Sequence, residues 1–289
     1  MKTWTIRSVL FAGLVGSLLA GCSATLPTPA GTVSLSDEPL VGKFVWHDLI
    51  TDDVAAARRF YGGLLGWKFE ATRHPAGGEY TLISKDGRYV GGMVMLADPT
   101  DADYSRWLPY LSVADVDAAV RLTESAGGMA VVGPVELANI GRAAAVTDPQ
   151  GAVLGLLRSR VGDPDDSVPP AAGRVVWDEL LAADATSAAD FYGSLAGFEV
   201  GTVDRRDGRY TLLRAQGRDR AGVMDRPDER VTPLWLTHFA VTDVDAASRL
   251  AAELGGKILL APSPELRDGN LAVVADPTGA IFALDQLSQ

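Results

Sequence analysis

Four times along the chain an apolar stretch runs into an aspartate, and thirteen residues later stands a glycine: Asp53 and Gly66, Asp115 and Gly128, Asp184 and Gly197, Asp243 and Gly256. Asp is a good helix N-cap because its carboxylate accepts the free N–H groups of the first turn. Gly is the usual stop because it adopts positive φ without a Cβ clash. Between the two, apolar residues keep a helical period, and Val244, Ala247, Leu250, Ala251 and Leu254 share one face. The spacing predicts four helices with those boundaries. An apolar strand precedes each. Short alternating runs follow each, such as Tyr80-Thr81-Leu82-Ile83 and Ala272-Val273-Val274, punctuated by Gly and Asp-Pro turns. The repeating module is therefore strand, helix, then two or three strands.

The modules come in pairs. Trp46-His47-Asp48-Leu49 is echoed by Trp177-Asp178-Glu179-Leu180, and Phe60-Tyr61-Gly62 by Phe191-Tyr192-Gly193, both 131 residues on. Asp115-Val116-Asp117-Ala118-Ala119 returns as Asp243-Val244-Asp245-Ala246-Ala247, and Asp148-Pro149-Gln150-Gly151-Ala152 as Asp276-Pro277-Thr278-Gly279-Ala280, both 128 on. Residues 42–158 and 174–287 are two copies of one unit, and the acidic, Pro-rich stretch 159–173 reads as a linker. On the motifs Asp53…Phe60-Tyr61…Leu65-Gly66-Trp67, Asp115-Val116-Asp117…Gly127-Gly128 and Gly141-Arg142…Asp148-Pro149-Gln150-Gly151, with their second copies, the chain resembles the vicinal oxygen chelate superfamily: glyoxalase-like and bleomycin-resistance-like proteins and extradiol dioxygenases. The resemblance implies an α+β fold of two tandem glyoxalase-like domains. Each domain would be two βαβββ modules curled around a cup that holds the ligand. Such a likeness specifies architecture far more than activity.

The N-terminus carries a different signal. Lys2 and Arg7 precede an apolar run from Val9 to Ala20, too short to span a bilayer comfortably, which ends in Leu19-Ala20-Gly21-Cys22. This resembles a bacterial lipoprotein signal. It implies a signal peptide at 1–21, cleavage before Cys22, and lipidation of that residue. Residues 22–41, rich in Pro, Thr, Ser and Gly, read as a flexible tether. The address expected is the bacterial cell envelope, with the protein held on the membrane through its N-terminal lipid. Ser23 follows the Cys, so in an organism with two membranes this means the periplasmic side of the outer membrane.

Composition adds exclusions. The 289 residues carry 26 Lys and Arg against 37 Asp and Glu, a net charge of −11. Removing Lys2 and Arg7 leaves 24 bases against 37 acids, a net of −13. That balance argues against nucleic acid as a partner, since such affinity comes from clustered cations. The single Cys excludes an internal disulfide framework and a multi-Cys zinc site, and three His are few for a His-rich metal centre. There is no Gly-rich phosphate loop and no nucleophile elbow.

The family's metal ligands, His or Gln at strand starts and Glu near the domain end, map by counting onto Trp46, Leu108 and Gly155 in the first half and Trp177, Leu236 and Ala283 in the second. None can bind a metal, so no metal and no other cofactor is expected. Strand side chains alternate faces. If Trp46 faces the cup, so does Asp48; the first cup then offers Trp46, Asp48 and Tyr110, and the second Trp177, Glu179 and His238. Trp107 and Trp235 fall out of phase and face the other side, and His47 points away from the cup. Glu179 and His238 are candidate catalytic residues as an acid/base pair, or else two buried polar groups satisfying one another. Arg142 could clamp an anion bidentately or sit on a surface turn. Met93 and Met224 read as core, and His74 as an exposed hairpin residue.

Three functions stay open. The first is a metal-free module binding a small apolar or aromatic molecule through Trp46, Asp48, Tyr110, Arg142 and Trp177. The second is a lyase or isomerase using Glu179 and His238. The third is a non-catalytic envelope interaction protein. A homodimer is a further possibility.

Overall fold

The computed structural model describes residues 32–95, 105–205 and 208–287. The signal segment and Cys22 lie outside them. Four βαβββ modules follow in order. The first holds β1 (Phe44–Thr51), α1 (Val54–Leu65), β2 (Lys68–Arg73), β3 (Glu79–Lys85) and β4 (Arg88–Met95). The second holds β5 (Arg106–Ser112), α2 (Val116–Ser125), β6 (Met129–Leu137), β7 (Gly141–Thr147) and β8 (Val153–Ser159). The third holds β9 (Val175–Ala182), α3 (Ala185–Ala196), β10 (Glu199–Arg205), β11 (Gly208–Ala215) and β12 (Arg218–Asp225). The fourth holds β13 (Leu234–Val241), α4 (Val244–Glu253), β14 (Lys257–Leu260), β15 (Leu271–Ala275) and β16 (Ile281–Gln286).

Each pair of modules shares one eight-stranded sheet, ordered β2-β3-β4-β1-β5-β8-β7-β6 and β10-β11-β12-β9-β13-β16-β15-β14. The modules join where β1 runs antiparallel to β5, and β9 to β13. Within each module the first and last strands are parallel, as β1 with β4 and β5 with β8.

All four helices are capped by the expected aspartates. Asp53, Asp115, Asp184 and Asp243 accept from the backbone N–H of Ala56, Ala118, Ser187 and Ala246. The stops divide into two kinds. Gly66 and Gly197 close α1 and α3 in the left-handed conformation. After α2 and α4, Gly127 and Gly255 take the positive φ, one residue ahead of the expected Gly128 and Gly256. Gly128 is required for a different reason: a Cβ there would stand 2.4 Å from the Thr147 carbonyl oxygen.

The helix-bearing faces of the two sheets bury each other. One core joins the first module to the fourth: Leu49, Phe60, Tyr61 and Trp67, with Trp107 of the neighbouring β5, pack with Phe239, Val244, Ala251, Phe282 and Leu284. The other joins the second module to the third: Leu111, Val120, Leu154 and Leu156 pack with Leu180, Tyr192 and Leu195, and with Trp235 of the neighbouring β13. Tyr61 stacks on Trp67 at 5.1 Å and meets Trp107 edge-on, and Phe239 of the second sheet lies edge-on to both indoles. Such contacts add about 0.5–1.5 kcal/mol each to simple area burial. Met93 belongs to this core.

The echoed motifs meet across this seam. Trp235 Nε1 donates to the Tyr192 hydroxyl at 2.9 Å, and Tyr192 donates to Asp148 Oδ2 of the other sheet at 3.0 Å. In the mirror arrangement Trp107 Nε1 donates to Tyr61 at 2.9 Å, and the Tyr61 phenol faces Asp276. Thus Phe-Tyr-Gly of one domain docks on Asp-Pro-x-Gly of the other. Near the local two-fold axis, His47 Nε2 stands 3.0 Å from both oxygens of Asp178, its own sequence equivalent, and Thr237 also donates to that carboxylate.

The tether expected to be flexible is pinned where described, and part of the linker pins it. Thr32 bridges to Arg88 and Leu35 to Pro164. Asp163, buried in the stretch read as a linker, accepts from Leu40 N and Ser112 Oγ. Among the described residues no helix is long and apolar enough to cross a membrane.

Two outcomes follow. Because each core is built from both halves, urea unfolding followed by fluorescence and circular dichroism should show one cooperative transition. His47→Ala, which removes one of the two side-chain partners of the buried Asp178 carboxylate, should cost about 1–3 kcal/mol in the same experiment.

Candidate functional site

The concave face of each sheet carries one row of polar and aromatic side chains, set by the pairing of its central strands. In the first sheet Trp46 lies opposite Tyr110, and Tyr110 opposite Gly155. Asp48 lies between Gly92 and Leu108. Trp46, Asp48 and Tyr110 therefore share this face, whereas Trp107 lies in the core behind it. The row has a fourth member that sequence reasoning missed, Tyr80 of β3. Its hydroxyl donates to Asp48 Oδ1 at 2.6 Å, and Trp46 Nε1 lies 2.9 Å from both atoms. Gly92 makes room for it, since a Cβ there would fall 1.7 Å from the Tyr80 oxygen. Tyr110 also hydrogen-bonds Asp48. Burial pushes the Asp48 carboxyl up from its usual value despite these bonds, and pushes both phenols well above theirs. Every donor in this row is turned inward on Asp48.

The second sheet repeats the row and then departs from it. Trp177 Nε1 donates to the Tyr210 hydroxyl at 2.9 Å, and Tyr210 donates to Glu179 Oε1 at 2.5 Å. Tyr210 was missed for the same reason as Tyr80. The available signal was the echo of Glu79-Tyr80-Thr81-Leu82 in Arg209-Tyr210-Thr211-Leu212. His238 replaces Tyr110 and is completely buried. Its Nδ1 sits 3.2 Å from Asp285 Oδ2, which Arg267 also approaches at 3.3 Å. Its Nε2 faces Glu179 Oε2 at 3.9 Å and has no hydrogen-bond partner. So the structure brings Glu179 and His238 together but leaves a gap between them. Asp285 and Arg267 were not foreseen, because Leu157 and Asn139 stand at the matching places of the first half.

Other expectations are corrected. Arg142 does not reach a cup. It lies on the helix side of β7, paired with Asp117 of α2 and close to Glu136, because its neighbours Ala144 and Val146 on that face belong to the core. His74 is half-buried rather than exposed, edge-on to Tyr80 at 5.2 Å. His47 points away from the cup as expected, into the seam with Asp178.

Residues 43–156 match the model of the Glyoxalase/Bleomycin resistance protein/Dioxygenase superfamily, and residues 174–284 that of a glyoxalase-like domain. The chain belongs to this superfamily. CFP32 of Mycobacterium tuberculosis (strain CDC 1551 / Oshkosh), whose name calls it a glyoxylase, is 32% identical over 246 residues, 83% of this chain and 92% of that one. The anthracycline biosynthesis protein DnrV of Streptomyces peucetius is 32% identical over 269 residues, 86% and 94% of the two chains. Among solved structures, the Mn(II)-bound glyoxalase from Novosphingobium aromaticivorans aligns with a TM-score of 0.57 at 17% identity, over 85% of this chain and 82% of that one. The 2,3-dioxygenase LapB from Pseudomonas sp. KL28 aligns with a TM-score of 0.57 at 13% identity, over 87% and 94%.

The residues of this superfamily member do not fit a metal at the positions assigned by counting. An indole, an aliphatic side chain and Gly155 or Ala283 stand there in each half. The space in front of Gly155 is taken by Tyr110, whose ring would lie 2.2 Å from a Cβ at that position. Among the described residues no group of three His, Cys, Asp or Glu is arranged to hold an ion.

The buried carboxyls set a pH dependence. Burial raises Asp48, and likewise Asp148 and Asp276 at the seam. A carboxyl raised in the folded state contributes stability fully below its unfolded value, about 3.9, and loses it as pH rises through the folded value. Asp48→Asn imitates the protonated form at every pH. The stability of this variant relative to wild type should therefore increase from pH 4 to pH 8 in denaturant titrations. A decrease would mean that the ionised form is the favoured one.

Proposed function

We propose that this protein is an envelope-anchored, metal-independent member of its superfamily that binds a small aromatic molecule in the cup of its second domain. The observation that carries the reading is His238 Nε2, a fully buried polar atom without a partner, facing Glu179 across 3.9 Å. Buried polar groups are normally satisfied. A ligand hydroxyl within reach of both His238 and Glu179 would satisfy this one. In the first cup the matching position is filled by Tyr110, and Asp48 already collects its donors, so that half serves as framework. Trp177, half-buried beside the row, supplies an aromatic wall. Two relatives take their names from anthracycline biosynthesis, and anthracyclines are fused aromatic ring systems. Lipidation of Cys22 would hold the cups at a membrane surface, where apolar molecules concentrate.

A second reading is favoured by Asp285. A carboxylate on Nδ1 fixes the imidazole tautomer and leaves Nε2 as a base. With Glu179 facing it, the pair could move a proton on the bound molecule, as a lyase or isomerase requires.

Metal analysis of protein purified without chelator should find no stoichiometric divalent ion. 2-Naphthol should raise the melting temperature of wild type and not of His238→Ala; at 100 times its Kd a ligand stabilises by about 2.7 kcal/mol. A bound ion, or an equal shift in both proteins, contradicts the reading. Palmitate labelling in a bacterial host should be lost in Cys22→Ala.

A further inference from the structure

Between the two sheets, at the N-terminal ends of β1 and β9, lies a cavity of about 360 Å³. Its walls are two copies of one strand segment, residues 43–47 and 174–178. Thr32 to Ser34 border it on one side and Pro164 to Pro170 on another. The size is in the range of small-molecule sites.

The charges around it do not balance locally. Lys43, Arg88, Arg174 and Arg220 line the cavity with Asp165, Asp178 and Asp219. The carboxylates are engaged. Asp178 accepts from Thr237 and meets His47. Asp219 is bound by Arg214. Asp165 lies near Lys43 and Arg88 and accepts from Ser167. Just behind the wall, Asp166 is shared by Lys43 at 2.8 Å, Arg220 at 2.7 Å and Arg218 at 3.4 Å, and these cations hold its carboxyl well below the usual range. Arg174 has no carboxylate. Its one hydrogen bond is a long one, 3.4 Å from Nη2 to the Lys85 carbonyl, and its Nε is buried with no acceptor. Arg220, with only 6% of its side chain exposed, also has an unpartnered Nε. Two buried guanidinium N–H donors around one cavity therefore lack acceptors. An uncompensated buried donor is costly, and a carboxylate is the acceptor that a guanidinium fits best.

Both cup tryptophans, Trp46 and Trp177, also line this cavity. Their indole N–H groups are committed to the Tyr80 and Tyr210 rows. Each half thus contributes one aromatic residue to the lining. Cationic donors and aromatic carbon together select a planar anion.

We propose that this interdomain cavity is a binding site for a small aromatic carboxylate, its carboxylate held by Arg174 with help from Arg220 and its ring by Trp46 and Trp177. The site borders the second cup at Trp177 but includes neither Glu179 nor His238. It takes one ligand per chain, because it lies on the local two-fold axis.

The test uses the full-length protein with 2-naphthoate and its neutral match, 2-naphthamide, in calorimetry and tryptophan fluorescence. Naphthoate should bind and quench, at least tenfold more tightly than the amide, with an affinity that falls as salt rises. Arg174→Gln should weaken naphthoate at least tenfold and leave the amide unchanged. Arg174→Lys, which keeps the charge but removes Nε, should give an intermediate loss. His238→Ala should bind naphthoate like wild type, which separates this site from the cup. Equal affinity for acid and amide in wild type overturns the proposal whether or not a variant folds. So does unchanged naphthoate binding in a folded Arg174→Gln, or loss of that binding in His238→Ala.

Discussion

Neither sheet can bury its own helix face. That constraint organises the molecule. Each sheet carries two short helices whose apolar stripes are too narrow to form a closed core alone, and the solution is to pack the two helix faces together. The first module then shares a core with the fourth, and the second with the third. The Tyr–Asp contacts across the seam and the His47–Asp178 pair follow from this pairing, because they are the polar groups that the joint burial encloses. The opposite faces take no part in these shared cores, and in the second sheet that face carries a small cluster of its own, Leu236, Leu271 and Ala283.

The two halves use these faces differently. In the first, two tyrosines and an indole converge on Asp48 and close the row on itself. In the second, one substitution, His238 for Tyr110, adds a group with two ring nitrogens where the phenol had one oxygen. Asp285 engages one nitrogen, and the other is left facing Glu179. Duplication therefore produced one satisfied row and one unsatisfied row on the same scaffold. The same duplication produced the cavity between β1 and β9, which neither half possesses alone.

Several of these features could be read from the chain. Asp53, Asp115, Asp184 and Asp243 cap helices because capping is local chemistry, complete within four residues. The cup-facing members of β1, β5, β9 and β13 followed from period-two alternation, which the pairing preserves. Tyr80 and Tyr210 escaped because their strands lie two places away from β1 and β9 in the sheet order, and nothing local ties them to Asp48 or Glu179. Arg142 was misjudged because the face it occupies is decided by β7 pairing and by Asp117 on another element. The stops at Gly127 and Gly255 were misplaced by one residue because a Gly-Gly pair offers two positions. Packing against Thr147, not helix termination, decides what Gly128 does.

The sequence by itself determined the module, its fourfold repetition and the residue types on each cup floor, since these rest on local capping, short-range periodicity and self-similarity. Tertiary structure alone decided which modules share a core, that residue 47 pairs with its own equivalent 178, that Asp148 accepts a hydrogen bond from Tyr192, and that Arg174 lines a cavity without a carboxylate partner. The physical reason is the same in each case. These are contacts between groups far apart in sequence, and their energies depend on burial and distance, which exist only once the two sheets have closed on one another.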